Sequence, residues 1–269
     1  MTDAREFLGI ERLDDDLHWR LAVGSDLATP GDFLFGGCAL SAALVALEAA
    51  AGRPTVWATA QYLSYAPTGS VLDLKVTLAA EGRRLIQGRV VGHVGDREIL
   101  TVNAAVGTPG PVDVGGVWVD PPDVPRPDES PARQLPNFGV SSVFDRIEVR
   151  LAKGRTFEEL TTGTPTPGEA TSAFWARVPG HLEPSAATLA ILGDYVTAGV
   201  SQPIGRRVMS RSLDNTLRVV QLEPTEWILC DIRIVALVGG YAHGIGTLWS
   251  ETGTLLATAS QSMSVRPLP

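Results

Sequence analysis

The sequence predicts an α+β protein in which one module is built twice. In each half, a helix apolar on most faces precedes four strand-like runs, and both halves keep this order. A crowd of prolines between them marks where the two copies meet.

In the first half, Leu40, Ala43, Leu44 and Leu47 recur at the spacing of one helix face. The other faces are also apolar or small, apart from Ser41 and Glu48, so this helix should be buried on most sides. Gly52-Arg53-Pro54 stops it. Strand-like runs follow over residues 55–66, 71–80, 85–94 and 98–106. In the second run Leu72, Leu74, Val76 and Leu78 alternate with Asp73, Lys75 and Thr77, the pattern of a half-buried antiparallel strand. Pro67-Thr68-Gly69, Glu81-Gly82 and Gly95-Asp96 supply the turns.

The second half repeats this. Leu189, Leu192, Val196 and Val200 predict a helix over residues 186–200, and runs at 213–222, 227–237, 242–249 and 255–265 predict strands. Glu223-Pro224-Thr225-Glu226 matches Ala66-Pro67-Thr68-Gly69, and Glu251-Thr252-Gly253 matches Gly95-Asp96; Pro67 to Pro224 is an offset of 157 residues. The same element order recurring along the chain is the signature of internal duplication.

Eight of the 19 prolines fall between Gly107 and Val143: Pro109, Pro111, Pro121, Pro122, Pro125, Pro127, Pro131 and Pro136. Proline lacks the ladder donor and restricts its predecessor, so a surface linker is expected here. The chain divides into 1–107, a linker at 108–143, and 144–269.

Composition sets bounds on function. Over 269 residues, Lys+Arg 22 against Asp+Glu 30 leaves a net charge of −8, which argues against a nucleic-acid partner. Hydrophobic residues at 44% and charged residues at 19% exclude global disorder. The most apolar run, 36–51, is interrupted by Glu48 and falls short of the ~20 residues a bilayer needs, so no membrane span is expected. The N-terminus lacks the basic-then-apolar order of a leader, and Cys38 and Cys230 lie far apart, so the default compartment is the reducing cytoplasm. His18, His93, His181 and His243 show no metal-ligand spacing, and no metal or other cofactor is called for. There is no G-x-S-x-G elbow, P-loop or G-x-G-x-x-G.

Polar residues on apolar faces are the candidates for chemistry. Gln261 shares strand parity with Leu255, Ala257, Ala259, Met263 and Val265, so it should face the interior, where an unpartnered amide costs about 1–3 kcal/mol. Asn215 shares parity with Leu213, Leu217 and Val219, which makes it the inward residue of a regular strand; Asp214 faces inward only if that strand bulges. Gly36-Gly37, ahead of the first helix, suits close ligand approach to backbone, and N–H groups there can donate to an oxyanion. Asp194, inside the second apolar helix, is a further candidate base. Arg83-Arg84 and Arg206-Arg207 could meet phosphates.

The motifs Phe35-Gly36-Gly37-Cys38-Ala39-Leu40, Ser212-Leu213-Asp214-Asn215-Thr216-Leu217, Pro224-Thr225-Glu226-Trp227-Ile228-Leu229 and Gly253 to Gln261 together resemble the acyl-CoA thioesterase II family and its actinobacterial thioesterase-like relatives. That resemblance implies a double hot-dog fold, two antiparallel sheets each wrapped around a central buried helix, and hydrolysis of acyl-CoA by a positioned water. It places Asp214 and Gln261 on the family's Asp and Gln positions, with the Gly36-Gly37 backbone polarising the carbonyl. The family's hydroxyl residue does not transfer: counting on from Trp227 reaches Ile234-Val235-Ala236, which has none. Some hot-dog thioesterases carry their carboxylate on the helix, where Asp194 lies. Open strand edges suggest a homodimer. Two other readings stay open: a hot-dog dehydratase or hydratase using His243, and a non-catalytic acyl-thioester binding protein. The repeat puts Asp214 opposite Trp57 and Gln261 opposite Ala105, so a single site per chain is expected, built mainly from the second copy.

Overall fold

The computed structural model describes residues 3–110, 114–134, 139–164, 166–178 and 183–268. His181, Pro111 and Pro136 lie outside these, as do parts of the 108–143 linker.

The chain opens with α1 (Ala4–Leu8), β1 (Glu11–Arg12), β2 (His18–Ala22), β3 (Ala28–Thr29) and β4 (Phe33–Leu34). The apolar stretch forms α2 (Gly36–Ala51), followed by β5 (Thr55–Tyr62), β6 (Val71–Glu81), β7 (Leu85–Val94) and β8 (Arg97–Gly107). After the proline-rich region come β9 (Glu148–Lys153), α3 (Phe157–Thr162) and β10 (Thr171–Arg177). Then α4 (Ala186–Gly193), a 3-10 stretch (Asp194–Val200) and α5 (Ser201–Ile204) lead to β11 (Val208–Ser212), β12 (Asp214–Val219), β13 (Ile228–Val238), β14 (Tyr241–Ser250) and β15 (Leu255–Pro267).

The first helix forms where its periodicity predicts, and it is buried on most sides, with the face of Val45, Glu48 and Ala49 reaching solvent. Leu40, Leu44 and Leu47 are fully buried, each worth about 1.5–3 kcal/mol. Gly52 adopts the left-handed conformation that ends the helix, its N–H bonding to Glu48 O. Glu48, the charge that interrupts the apolar run, turns its Oε1 to Thr55 N at 2.7 Å and so starts β5.

The expected second helix is broken. It is α-helical only to Gly193 and then tightens into the 3-10 stretch. Gly193 and Gly199 weaken the helix, and both sit close to the sheet: a Cβ at Gly199 would lie 2.6 Å from Ile232. This tightening begins at Asp194.

The architecture is α+β, with a large antiparallel sheet and few helices. The two sheets implied by the resemblance are joined into one sheet of thirteen strands among the described residues, ordered β1-β2-β6-β7-β8-β5-β12-β15-β14-β13-β10-β9 with β11 also on β15. The join is β5 against β12. Each would otherwise be an edge strand with unpaired backbone groups, and pairing satisfies both rows. Outside the predicted runs, β1 and β2 extend one end of the sheet, and β10 and β9 the other.

The β5–β12 register is symmetric about one residue pair. Thr59 faces Thr216, with Gln61 opposite Asp214 and Trp57 opposite Arg218. The two threonine hydroxyls lie 2.8 Å apart and 157 residues apart in sequence. Equivalent residues of a repeat touch only where they straddle a pseudo-twofold axis, so this pair marks the axis. β8 and β15 refine one equivalence: Thr59 pairs with Asn103 and Thr216 with Ser260, so the counterpart of Gln261 is Ala104, not Ala105.

The described part of the proline-rich region lies over the outer face of the second half. Trp175 Nε1 donates to Pro125 O at 2.9 Å, and Arg150 Nη1 to Pro127 O at 3.0 Å. Beneath it Trp175, Trp227, Trp249, Leu229 and Leu255 form a second apolar cluster. Both cysteines are free and buried. No helix among the described residues is long and apolar enough to cross a membrane.

Candidate active site

The N-terminus of α2 runs directly into the end of α4. Gly37 N–H donates to Asp194 Oδ2 at 2.7 Å, and these two residues are again 157 apart. The approach needs glycine. A Cβ at Gly37 would lie 2.8 Å from Ile191 O and 2.9 Å from Asp194 Cβ; one at Gly36 would lie 2.9 Å from Asp194 Oδ2.

Asp194 is 3% exposed and gathers a polar network inside the apolar core. Its Oδ1 accepts from Gln261 Nε2 at 2.5 Å and from Asn215 Nδ2 at 3.2 Å. Gln261 Nε2 also reaches Ser212 Oγ at 3.3 Å. Tyr62 closes the near side, its hydroxyl donating to Gly36 O at 3.0 Å. Burial pushes the Asp194 carboxyl up to about 7, against the opposing pull of the Gly37 N–H and the Gln261 and Asn215 amides. Burial raises the Tyr62 phenol as well, and the nearby Asp194 charge adds to it.

Two buried acceptors, Gln261 Oε1 and Asn215 Oδ1, have no hydrogen-bond partner among the described residues. Leaving such groups unpaired costs about 1–3 kcal/mol each, a cost native proteins concentrate at working sites. The network is sealed inwards and open outwards. Asp194, Asn215 and Gln261 are buried, whereas Gly36, Tyr62 and Ser212 are only partly so.

Of the residues singled out in sequence, Gly36, Gly37, Gln261, Asn215 and Asp194 come together here. Asp214 does not join them: it is half-buried, and its Oδ1 accepts from Ser262 N at 2.6 Å. A β-bulge interrupts the strand here. Ser212 pairs with Met263 but Thr216 pairs with Ser260, so the β11–β12 strand holds one extra residue between those points. The bulge lets both Ser212 and Asn215 look inward, while Asp214 keeps the outward parity that alternation gives a neighbour of Asn215. Ser212 is also the hydroxyl that counting from Trp227 fails to find; Val235, where that count lands, is exposed. The signal was present in Ser212-Leu213-Asp214, two residues upstream of the chosen carboxylate. His243 sits on the exposed side of β14, its ring facing Gln261 O at 3.4 Å and not the network.

The first copy supplies none of these side chains. At the 157-residue offset, Gln261 and Asn215 correspond to Ala104 and Ala58, both buried in the core. A carboxylate near its ionisation point at neutral pH, two amides, a hydroxyl and a helix N-terminus can orient a water and stabilise developing negative charge.

The acyl-CoA thioesterase N-terminal domain matches residues 25–107, and the acyl-CoA thioesterase C-terminal domain matches residues 120–265. A solved structure described as a thioesterase from Novosphingobium aromaticivorans is 33% identical, covers 96% of this chain and 98% of its own, and superposes with a TM-score of 0.83. The tesB protein of Mycobacterium avium subsp. paratuberculosis is 18% identical with a TM-score of 0.78, and acyl-CoA thioesterase II TesB2 of Mycobacterium marinum is 20% identical with a TM-score of 0.76. Coverage is 98% of both chains in each of these two pairs. Among curated proteins none matches this chain.

Proposed function

Because this chain belongs to the acyl-CoA thioesterase family, we propose that it hydrolyses its thioester through a water held by Asp194, Gln261 and Ser212. Thioester hydrolysis is the family's reaction. The buried contact of Asp194 with both Gln261 and the Gly37 N–H carries this assignment of residues.

The water donates one hydrogen to Asp194 and the other to the free Gln261 Oε1. Asp194 takes the first proton as the water oxygen bonds to the thioester carbon. The carbonyl oxygen becomes an oxyanion, stabilised by the first-turn N–H groups of α2. Collapse breaks the carbon–sulfur bond, and Asp194 returns its proton to the departing sulfur. The products are a carboxylic acid and coenzyme A thiol. Asp214, the residue the resemblance selects, has no part in this scheme.

The base must be ionised, so kcat should rise with pH through about 7 and level off above it. A pH profile flat across neutrality would remove Asp194 from the role. Release of free thiol from a series of acyl-CoA substrates tests the assignment directly. Gln261→Ala should lower kcat by about 10²-fold, and Asp214→Ala by less than about threefold. The reverse order would restore Asp214 to the site.

The finer organisation follows the same reading. Residues 1–107 and 144–269 act as two hot-dog modules, each wrapped on its own central helix, with 108–143 between them; the contact of Thr59 with Thr216, 157 residues apart across β5–β12, supports this. An apolar tunnel beside the helices takes the acyl chain. Exposed Val235, Val238 and Tyr241 on β13 and β14 support a homodimer, and two free cysteines fit the cytoplasm. Lipid metabolism is the setting in which such substrates arise.

A further inference from the structure

Three segments that build the site run outward into one exposed cluster. Phe33 lies three residues before Gly36, Tyr65 three after Tyr62, and Arg211 one before Ser212. The Phe33 and Tyr65 rings are 4.4 Å apart at an interplanar angle of 44°. The Arg211 guanidinium lies over the Tyr65 ring at 4.5 Å. Arg97, at the start of β8, donates from Nη2 to Tyr65 O at 2.9 Å. Tyr65 is 42% exposed, and both arginines are exposed.

Their charges are uncompensated. Among the described residues Arg97 and Arg211, like most arginines of the chain, have no carboxylate within 4.0 Å; only Arg12, Arg20, Arg146, Arg150 and Arg177 do. In a chain of net charge −8, two free guanidinium groups converging on one tyrosine form a local cationic surface. Phe33, Tyr65 and Arg211 lie one to three residues along the chain from Gly36, Tyr62 and Ser212, the partly exposed residues of the candidate site. Three extended residues span roughly 10 Å, a distance that the pantetheine arm of coenzyme A bridges.

We propose that this cluster holds the nucleotide end of the acyl-CoA substrate. Arg211 and Arg97 take phosphate oxygens, and the Tyr65–Arg211 stack provides planar surface for the adenine. Tyr65 also fixes the Arg211 fork before substrate arrives, so little side-chain freedom is lost on binding. The arginine pairs noted in sequence lie elsewhere: Arg83-Arg84 occupy the β6–β7 turn, and the Arg207 guanidinium rests over the Phe157 ring at 4.0 Å.

This inference rests on the thioesterase reading, and its test separates the two. Specificity is measured as kcat/KM for an acyl-CoA divided by kcat/KM for the same acyl group on N-acetylcysteamine, which has no nucleotide. Arg211→Ala should lower that ratio about tenfold, and Arg211→Lys, which keeps the charge but not the planar fork, should recover part of it. An unchanged ratio, or equal loss on both thioesters, overturns the proposal. Calorimetric titration with free coenzyme A needs no turnover: the wild type should bind it, and Arg211→Ala should bind about tenfold more weakly. Wild type that cleaves neither thioester defeats the catalytic reading, while wild type that fails to bind coenzyme A defeats this one.

Discussion

Asp194→Asn lowers kcat on acyl-CoA by about 10²- to 10⁴-fold and raises thermal stability at neutral pH and above. Both effects have one origin. The folded protein pushes this carboxyl from an ordinary 3.8 up to about 7, chiefly by burial. A raised carboxyl pKa means that ionisation costs the folded state. The contribution of Asp194 to stability is therefore full below pH 3.8, falls as pH rises from 3.8 to about 7, and stays low above. Asparagine does not titrate. The Tm difference between variant and wild type should widen across that window, which melts at about pH 5 and about pH 8 will show. The amide also fits the site. Its oxygen can accept from Gly37 N–H, and its nitrogen can donate to Gln261 Oε1 or Asn215 Oδ1, both free acceptors once those amides turn. An inactive variant with a Tm difference constant in pH would mean that the wild-type carboxylate carries no burial cost.

Much of the fold was legible because it follows from periodicity. α2 appears at its predicted spacing, the strands β6, β7, β8, β14 and β15 start and end within a few residues of their runs, and the 157-residue offset recurs in contacts. The site was half legible. Gln261 and Asn215 could be found because alternation on a strand says which side chains face inward, and both are 1% exposed. Ser212 could not be placed, because one inserted residue reverses parity and no local residue type announces a bulge; alternation already turned Asp214 outward, and only the resemblance drew it into the site. The joining of the sheets through β5 and β12 was hidden for a different reason. It depends on pairing between distant segments, which neither propensity nor periodicity encodes. The same limit applied to Asp194, whose importance rests on a backbone group 157 residues away.

Gly37→Ala should be among the most damaging single changes to both stability and rate. Its Cβ would meet the α4 backbone at Ile191 O and Ile191 Cα, 2.8 and 2.9 Å away, and neither can step aside as a side-chain tip can. Moving α2 and α4 apart costs about 1–3 kcal/mol as overpacking and breaks the 2.7 Å bond from Gly37 N–H to Asp194. Without that donor, burial acts on the carboxyl less opposed, so its pKa rises further. We expect kcat/KM at neutral pH to fall about 10²-fold, with the midpoint of the pH–rate profile displaced upward and a lower Tm. Gly36→Ala is the control, since its Cβ would meet the side-chain ends of Asp194 and Tyr62 rather than backbone. It should lose less Tm than Gly37→Ala. A Gly37→Ala protein with the wild-type pH midpoint would show that the helix terminus does not tune Asp194. The position also shows what the first copy contributes to the candidate site. Gly37 opens α2 and Asp194 closes α4, so opposite ends of the two helices meet there at hydrogen-bond distance. A side chain at Gly37 would collide with Ile191 and with Asp194 itself, so the buried carboxylate on α4 depends on a bare backbone at the start of α2.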